Sequence, residues 1–138
     1  MNLDDFDDRN VIARVAWGEN RCLGRSGMQA TVNTGENRVA SGRTWWGSTL
    51  RGVFVHPYQY SCLNPGDPNL SKLLAVAEDD PQFQIALELA DSAIAGTLPD
   101  ITGGADSYVA GSLQNLPEWA QNLNPTAIIG GTRFYRTV

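Results

Sequence analysis

Val11, Ile12, Val15 and Ala16 recur at helical spacing behind a run of acidic residues, so residues 9–19 are predicted to form a helix capped by Asp7 or Asp8. Gly18 is expected to weaken its last turn and free the backbone around Glu19. Met28, Val32, Gly35 and Val39 fall on one face of a second helix over 26–40, where Gly35 would let a neighbouring helix approach closely. Further on, Phe83, Ala86, Leu87, Ala90, Ala93 and Ile94 give a wide apolar face to a helix over 81–96. Asp80 is its cap, Pro81 its first residue, and Gly96 lies just past its end. A shorter helix over 70–78, capped by Asn69 or Ser71, precedes it.

Between 41 and 69 the periodicity breaks. Trp45 and Trp46 come first, then a short helical or extended stretch over 50–55, then a segment holding Pro57, Pro65, Gly66 and Pro68, which forbids regular structure. Long irregular segments in compact domains are usually functional or disordered, and the aromatic content here argues for one that is pinned down. It is read as one wall of a site. Alternation over 106–110, a turn of helix at 117–120 and two strands around Gly130-Gly131 complete the pattern. Together these elements predict an α+β fold, mainly helical, with a small antiparallel sheet leaning on a helical body.

Length confines this to one domain: residues 1–138 are expected to form a single unit, catalytic if the chain is an enzyme, with 1–8 as an acidic N-terminal segment. Hydrophobic residues make up 42% and charged residues 18%, a globular balance, and the apolar runs fall far short of the ~20 residues a membrane helix needs. No membrane insertion is expected. The net charge of −5 and the absence of a basic run interleaved with aromatics argue against a nucleic-acid partner. Two cysteines and one histidine cannot fill a typical structural zinc site without added carboxylates, so no metal and no cofactor are expected. The start is acidic where a signal peptide would be basic and then apolar, so no export address is expected.

Candidate chemistry then narrows to Glu19, beside Trp17 at the end of the first helix. A carboxyl held against an apolar wall resists ionising, because desolvation disfavours its charged form, and can donate a proton near neutral pH. That is the requirement for cleaving a glycosidic bond.

Ordered motifs extend the picture. They comprise Ala13 through Trp17-Gly18-Glu19, Gly27 to Ala30 leading into Asn37-Arg38-Val39, Trp45-Trp46-Gly47, Pro57 to Cys62, Asn64 to Asn69, Gly104-Ala105 with Tyr108, and Ile129-Gly130 with Arg133 to Arg136. In this order they resemble the SleB-type cell-wall hydrolases, the catalytic domains of spore-cortex-lytic enzymes and many phage endolysins. The resemblance implies a lysozyme-like fold related to goose-type lysozymes and lytic transglycosylases. It also implies cleavage of peptidoglycan glycan strands at the bond between N-acetylmuramic acid and N-acetylglucosamine, by a lytic transglycosylase or a muramidase. Glu19 is then the catalytic acid and Gln59 the glutamine brought beside it, with Tyr60, Ser61, Ser107, Tyr108 and Trp46 as substrate-binding residues. A monomer is expected, made in the cytoplasm and reaching the wall through phage-mediated release.

One departure matters. Many relatives carry a second acid four residues beyond the catalytic one, where this chain has Leu23; either a single acid suffices, as in a transglycosylase, or Glu36 or Asp106 substitutes. Two rival functions stand beside the glycosidase. Cys22 and His56 could form a Cys-His peptidase acting on peptide stems, or the domain could bind glycan without cutting it. Cys22 and Cys62, each three residues after a proposed site residue, are also placed to meet in a disulfide across the site.

Overall fold

The computed structural model describes residues 2–138. Helix α1 (Asp8–Asn20) runs through the middle of the helical body and packs against α2 (Gly24–Ser41), α3 (Leu50–Val55), α4 (Pro68–Ala75) and α5 (Pro81–Ile94). Its central position explains its composition. Val11, Ile12, Ala13, Val15 and Ala16 are all 1% exposed or less, so the apolar stripe is widened to the whole circumference, as a helix surrounded by others requires. Asp7 caps it, accepting from the Asn10 N–H. Gly18 does not fray the last turn; the helix continues to Asn20 and the glycine serves packing instead.

Arg14 is the one charged residue buried inside this helix, and its surroundings account for it. Its Nη1 donates to the carbonyls of Leu73 (2.7 Å) and Val76 (3.0 Å), and its guanidinium lies over the rings of Phe6 and Phe83. A cation thus satisfies the open carbonyl end of α4 and favours its dipole, which terminates that helix at Ala75 rather than at 78. Burial pushes the Arg14 guanidinium below its ordinary range. At its other end α4 starts earlier than the spacing suggests: Asp67 is the cap and Pro68 the first residue. The same Asp-Pro pair, Asp80-Pro81, opens α5.

Gly35 acts as expected. A Cβ there would stand 2.6 Å from the Phe54 ring, so the glycine is what lets α3 lie against α2. The apolar face of α5 is corrected at two positions: Leu89 is buried, whereas Ile94, the last residue of the helix, is 56% exposed although Ala93 before it is buried. Strands β1 (Ser107–Val109), β2 (Ala127–Ile129) and β3 (Thr132–Tyr135) form an antiparallel sheet in the order β1-β3-β2, with the β2–β3 hairpin turning at Gly130-Gly131. Phe134 of β3 packs with Ala30 of α2 and Ala105, which seats the sheet on the helical body. The architecture is α+β and mainly helical. Among the described residues no helix is long and apolar enough to cross a membrane.

Candidate active site

Glu19 lies in the last turn of α1, and a 3-10 turn at Ser61–Leu63 is laid against it. Gly18 permits that contact: a Cβ on it would stand 3.1 Å from Cys62 Sγ, 3.3 Å from Cys62 Cβ and 2.7 Å from Leu73 Cδ2. The first amides of a 3-10 turn have no partner within it. The Cys62 N–H is therefore free, and it donates to Glu19 Oε2 at 3.1 Å, with Ser61 Oγ 3.4 Å from the same oxygen. From the sheet, the Tyr108 hydroxyl donates to Glu19 Oε1 at 2.5 Å. Burial first, and the Glu19 carboxylate second, push the Tyr108 phenol well above its ordinary range, so it remains a donor.

Around this carboxylate opens a cleft of about 340 Å³ lined by Glu19, Arg38, Trp46, Tyr58, Gln59, Ser61, Ser107, Tyr108 and Trp119. Six residues singled out from the sequence, Glu19, Trp46, Gln59, Ser61, Ser107 and Tyr108, thus share one cavity. Tyr60 does not line it. Backbone at Tyr60 is extended, so its side chain points opposite to those of Gln59 and Ser61 and enters the core at 1% exposure. There its hydroxyl shares a 3.1 Å hydrogen bond with Thr34 Oγ1 and its ring packs on Phe54.

Trp17 is also not the wall beside Glu19. Its Nε1 donates to Asp80 Oδ1 at 3.3 Å, and its ring carries the Arg21 guanidinium 4.0 Å from the centroid. The surroundings of Glu19 are hydrogen-bond donors from the 61–63 turn and β1, not an indole face. Neither proposed substitute acid reaches the cleft. Asp106 accepts from Ser107 Oγ and from Thr137 N and Oγ1, and Glu36 lines a separate depression with Val39, Ala40 and Leu50. Burial raises the Glu36 carboxyl above its ordinary range. Among the described residues, Glu19 is the one carboxylate lining this cleft.

Leu23, at the position where the sequence resemblance leads to the expectation of an acid, has a packing role. It fills the space over Gly27 and Gly130, where added Cβ atoms would lie 2.3 Å and 2.8 Å from its side chain, and so ties the β2–β3 hairpin to the helical body. Cys22 and Cys62 are both free, the first exposed and the second buried beneath α1, with its Sγ directed at Val15 O. No disulfide spans the site. Burial and the nearby Glu19 carboxylate push the Cys62 thiol far up. Among the described residues no hydrogen bond joins Cys22 to His56: Cys22 lines a small depression with Gly18, Glu19, Arg21 and Asn69, and His56 Nδ1 lies 3.3 Å from Pro57 O. No group of three or more His, Cys, Asp or Glu residues among them is arranged to hold a metal ion.

Arg38, Tyr58 and Trp119 are not among the site residues expected from the sequence, although Arg38 and Tyr58 lie within motifs that carry the resemblance. Tyr58 is 79% exposed and has φ of +62°, a backbone state unfavourable to a bulky side chain and one that gathers at functional sites. Trp119 stands edge-on to Tyr135 at 5.5 Å between centroids, which holds its indole at the cleft rim. Only a weak signal was available for it: a tryptophan on a one-turn helix too short to bury it.

A cleft with one hydrogen-bonded carboxylate and aromatic side chains at its rim is a site where proton transfer to a bound ligand can occur. A family model described as cell wall hydrolase matches residues 24–135, and the chain belongs to that SleB-type family, an assignment that makes it an enzyme acting on the cell wall. Glu19 falls just before the matched segment, whereas the other cleft residues lie inside it. No curated protein and no solved structure gives a significant match.

Proposed function

We propose that the protein cuts the glycan strands of bacterial peptidoglycan between N-acetylmuramic acid and N-acetylglucosamine as a lytic transglycosylase, with Glu19 as acid and then base. The observation that carries this reading is the solitary carboxylate in an aromatic-lined cleft. Protonated Glu19 gives its proton to the glycosidic oxygen as the bond to the anomeric carbon breaks. The carboxylate left behind is stabilised by the Tyr108 hydroxyl and the Cys62 N–H, which already point at its two oxygens. It then takes the proton of the sugar's own C6 hydroxyl, whose oxygen closes onto the anomeric carbon to give a 1,6-anhydro end. An inverting muramidase would instead need a second carboxylate roughly 6.5–9.5 Å away to hold a water, and the cleft supplies none.

Tyr58 and Trp119, both exposed, offer faces on which the apolar sides of pyranose rings can stack, while Trp46, 7% exposed, presents only an edge to the cleft. A lysozyme-like ancestry belongs to the same proposal: its support is a catalytic glutamate closing a buried central helix beside a small antiparallel sheet.

Clearing of purified cell-wall suspensions by the wild type, Glu19→Gln and Cys22→Ala tests the reading. Wild type and Cys22→Ala clear equally, and Glu19→Gln loses roughly 100-fold or more of the rate, the usual worth of a general acid. An inactive Cys22→Ala with an active Glu19→Gln would transfer the chemistry to the thiol. Binding to walls without clearing, unaffected by Glu19→Gln, would mark a glycan-binding domain.

A further inference from the structure

Arg38 is a buried cation without a carboxylate partner. It is 6% exposed, yet the ion pairs found among the described residues are Arg9–Asp91, Arg25–Glu88 and Arg51–Asp8. The guanidinium is held by other means. It lies 5.3 Å from the Trp46 ring centroid and 4.9 Å from that of Tyr60, its Nε–H donates to Asp106 O at 2.7 Å, and its Nη1 donates to Gln59 Oε1 at 3.3 Å. These contacts fix its plane and use two of its five N–H groups.

No hydrogen bond within the described residues reaches Nη2. Nor is Nη2 sealed off, since the fully buried atoms left without a partner are Gln82 Oε1 and Arg133 Nε. Its donors therefore keep some exposure, and Arg38 is one of the residues that line the cleft with Glu19. A guanidinium held in one orientation, with donors that only water meets, is preorganised for an acceptor on a bound ligand. A planar guanidinium suits an sp² oxygen better than a sugar hydroxyl.

We infer that Arg38 selects the substrate's acyl substituents, its free Nη2–H groups donating either to the carbonyl oxygen of an N-acetyl group or to the free carboxylate of a lactyl group on the sugar bound beside Glu19. The identity of the ligand rests on the glycan reading above; the donor arrangement stands apart from any cleavage step. Gln59 takes a second role in this account. With Oε1 committed to Arg38, it orients the guanidinium.

Binding can be separated from cutting by working in the Glu19→Gln protein. Calorimetric Kd values are compared for Glu19→Gln and Glu19→Gln/Arg38→Lys with three soluble ligands: glycan strands bearing stem peptides, stem-free strands with a free lactyl carboxylate, and stem-free strands also stripped of N-acetyl groups. Loss of a charge-assisted hydrogen bond is expected to weaken binding roughly tenfold or more wherever the recognised acyl group is present, and to change little where it is absent. Selective loss on both N-acetylated ligands assigns the N-acetyl oxygen. Preferential loss on strands that keep the lactyl carboxylate, with or without N-acetyl groups, assigns the lactyl oxygen. An equal loss on all three ligands overturns the inference, because a merely structural arginine would act that way. Should Arg38→Lys fail to fold, equal affinity of Glu19→Gln for all three, or no binding to any, overturns it as well. Selective binding by Glu19→Gln together with a wild type that cuts none of these strands would instead overturn the cleavage reading and leave Arg38's role standing.

Discussion

The Tyr108 hydroxyl donates to the Glu19 carboxylate at 2.5 Å across 89 residues of sequence, joining β1 to the end of α1. The small sheet therefore has a function in the site: it carries a donor to the carboxylate that the helical body presents. Phe134, opposite Tyr108 in the β1–β3 ladder, packs on its ring at 5.4 Å and keeps the phenol aimed. Tyr108→Phe is expected to lower kcat roughly tenfold or more on soluble glycan strands, with little change in KM, since a hydrogen bond to a charged group is lost. Initial-rate kinetics on the variant check this; an unchanged kcat would make the contact structural only.

Gly18 sets the distance between α1 and the 61–63 turn. Gly18→Val should push Cys62 away, pull its N–H off Glu19 Oε2 and cost about 1–3 kcal/mol of stability through overpacking. Activity should fall further than the loss of folded protein explains. Denaturant melts and kcat measured on the same preparation separate the two effects.

Leu23→Glu introduces the acid expected from the sequence resemblance, but here it would place a carboxylate against Gly27 and Gly130. The expected outcome is a lower Tm with no gain in rate, from burying polar atoms where the hairpin is anchored, at a cost of about 1–3 kcal/mol. A rise in kcat for this variant would show that position 23 faces the substrate.

The pH response of stability follows from three buried acids near Glu19. Burial raises Cys62, Tyr60 and Tyr108 above their ordinary values, which are near 9 for the thiol and 10 for the phenols. Above pH 9 the unfolded chain releases protons that the folded chain keeps, so the unfolded state binds fewer protons and stability falls as pH rises. Below pH 9 these groups are protonated in both states and contribute no slope. Thermal melts between pH 7 and 11 should show a flat Tm that declines from about pH 9, and the decline should be shallower in Tyr60→Phe.

Much of the helical body was legible because its signals are local. The stripes over α1, α2 and α5, the Asp80-Pro81 start and the Gly130-Gly131 turn all depend on neighbours within one or two turns of chain. What eluded the sequence depends on distant partners. Arg14 shortens α4 from 59 residues away, and Trp17 turns to Asp80 rather than to its neighbour Glu19. The site divides in the same way. Gln59 and Ser61 were legible as part of an irregular, aromatic-rich wall, but the inward turn of Tyr60 is fixed by Thr34 and Phe54, which no local pattern reveals. Arg38 was the hardest to place in the site, since an arginine in the last turn of a helix ordinarily faces water and only the tertiary fold shows it buried between two rings.

The central claim is that Glu19 cuts the glycan without a second carboxylate. Mass spectrometry of the fragments released from purified peptidoglycan by the wild type and by Glu19→Gln tests it most directly. The expected result is release of muropeptides with 1,6-anhydro ends by the wild type and loss of those ends in Glu19→Gln. Reducing muramic or glucosamine ends would contradict the intramolecular route, and new free amines from cut peptide stems, still released by Glu19→Gln, would contradict the glycosidase itself.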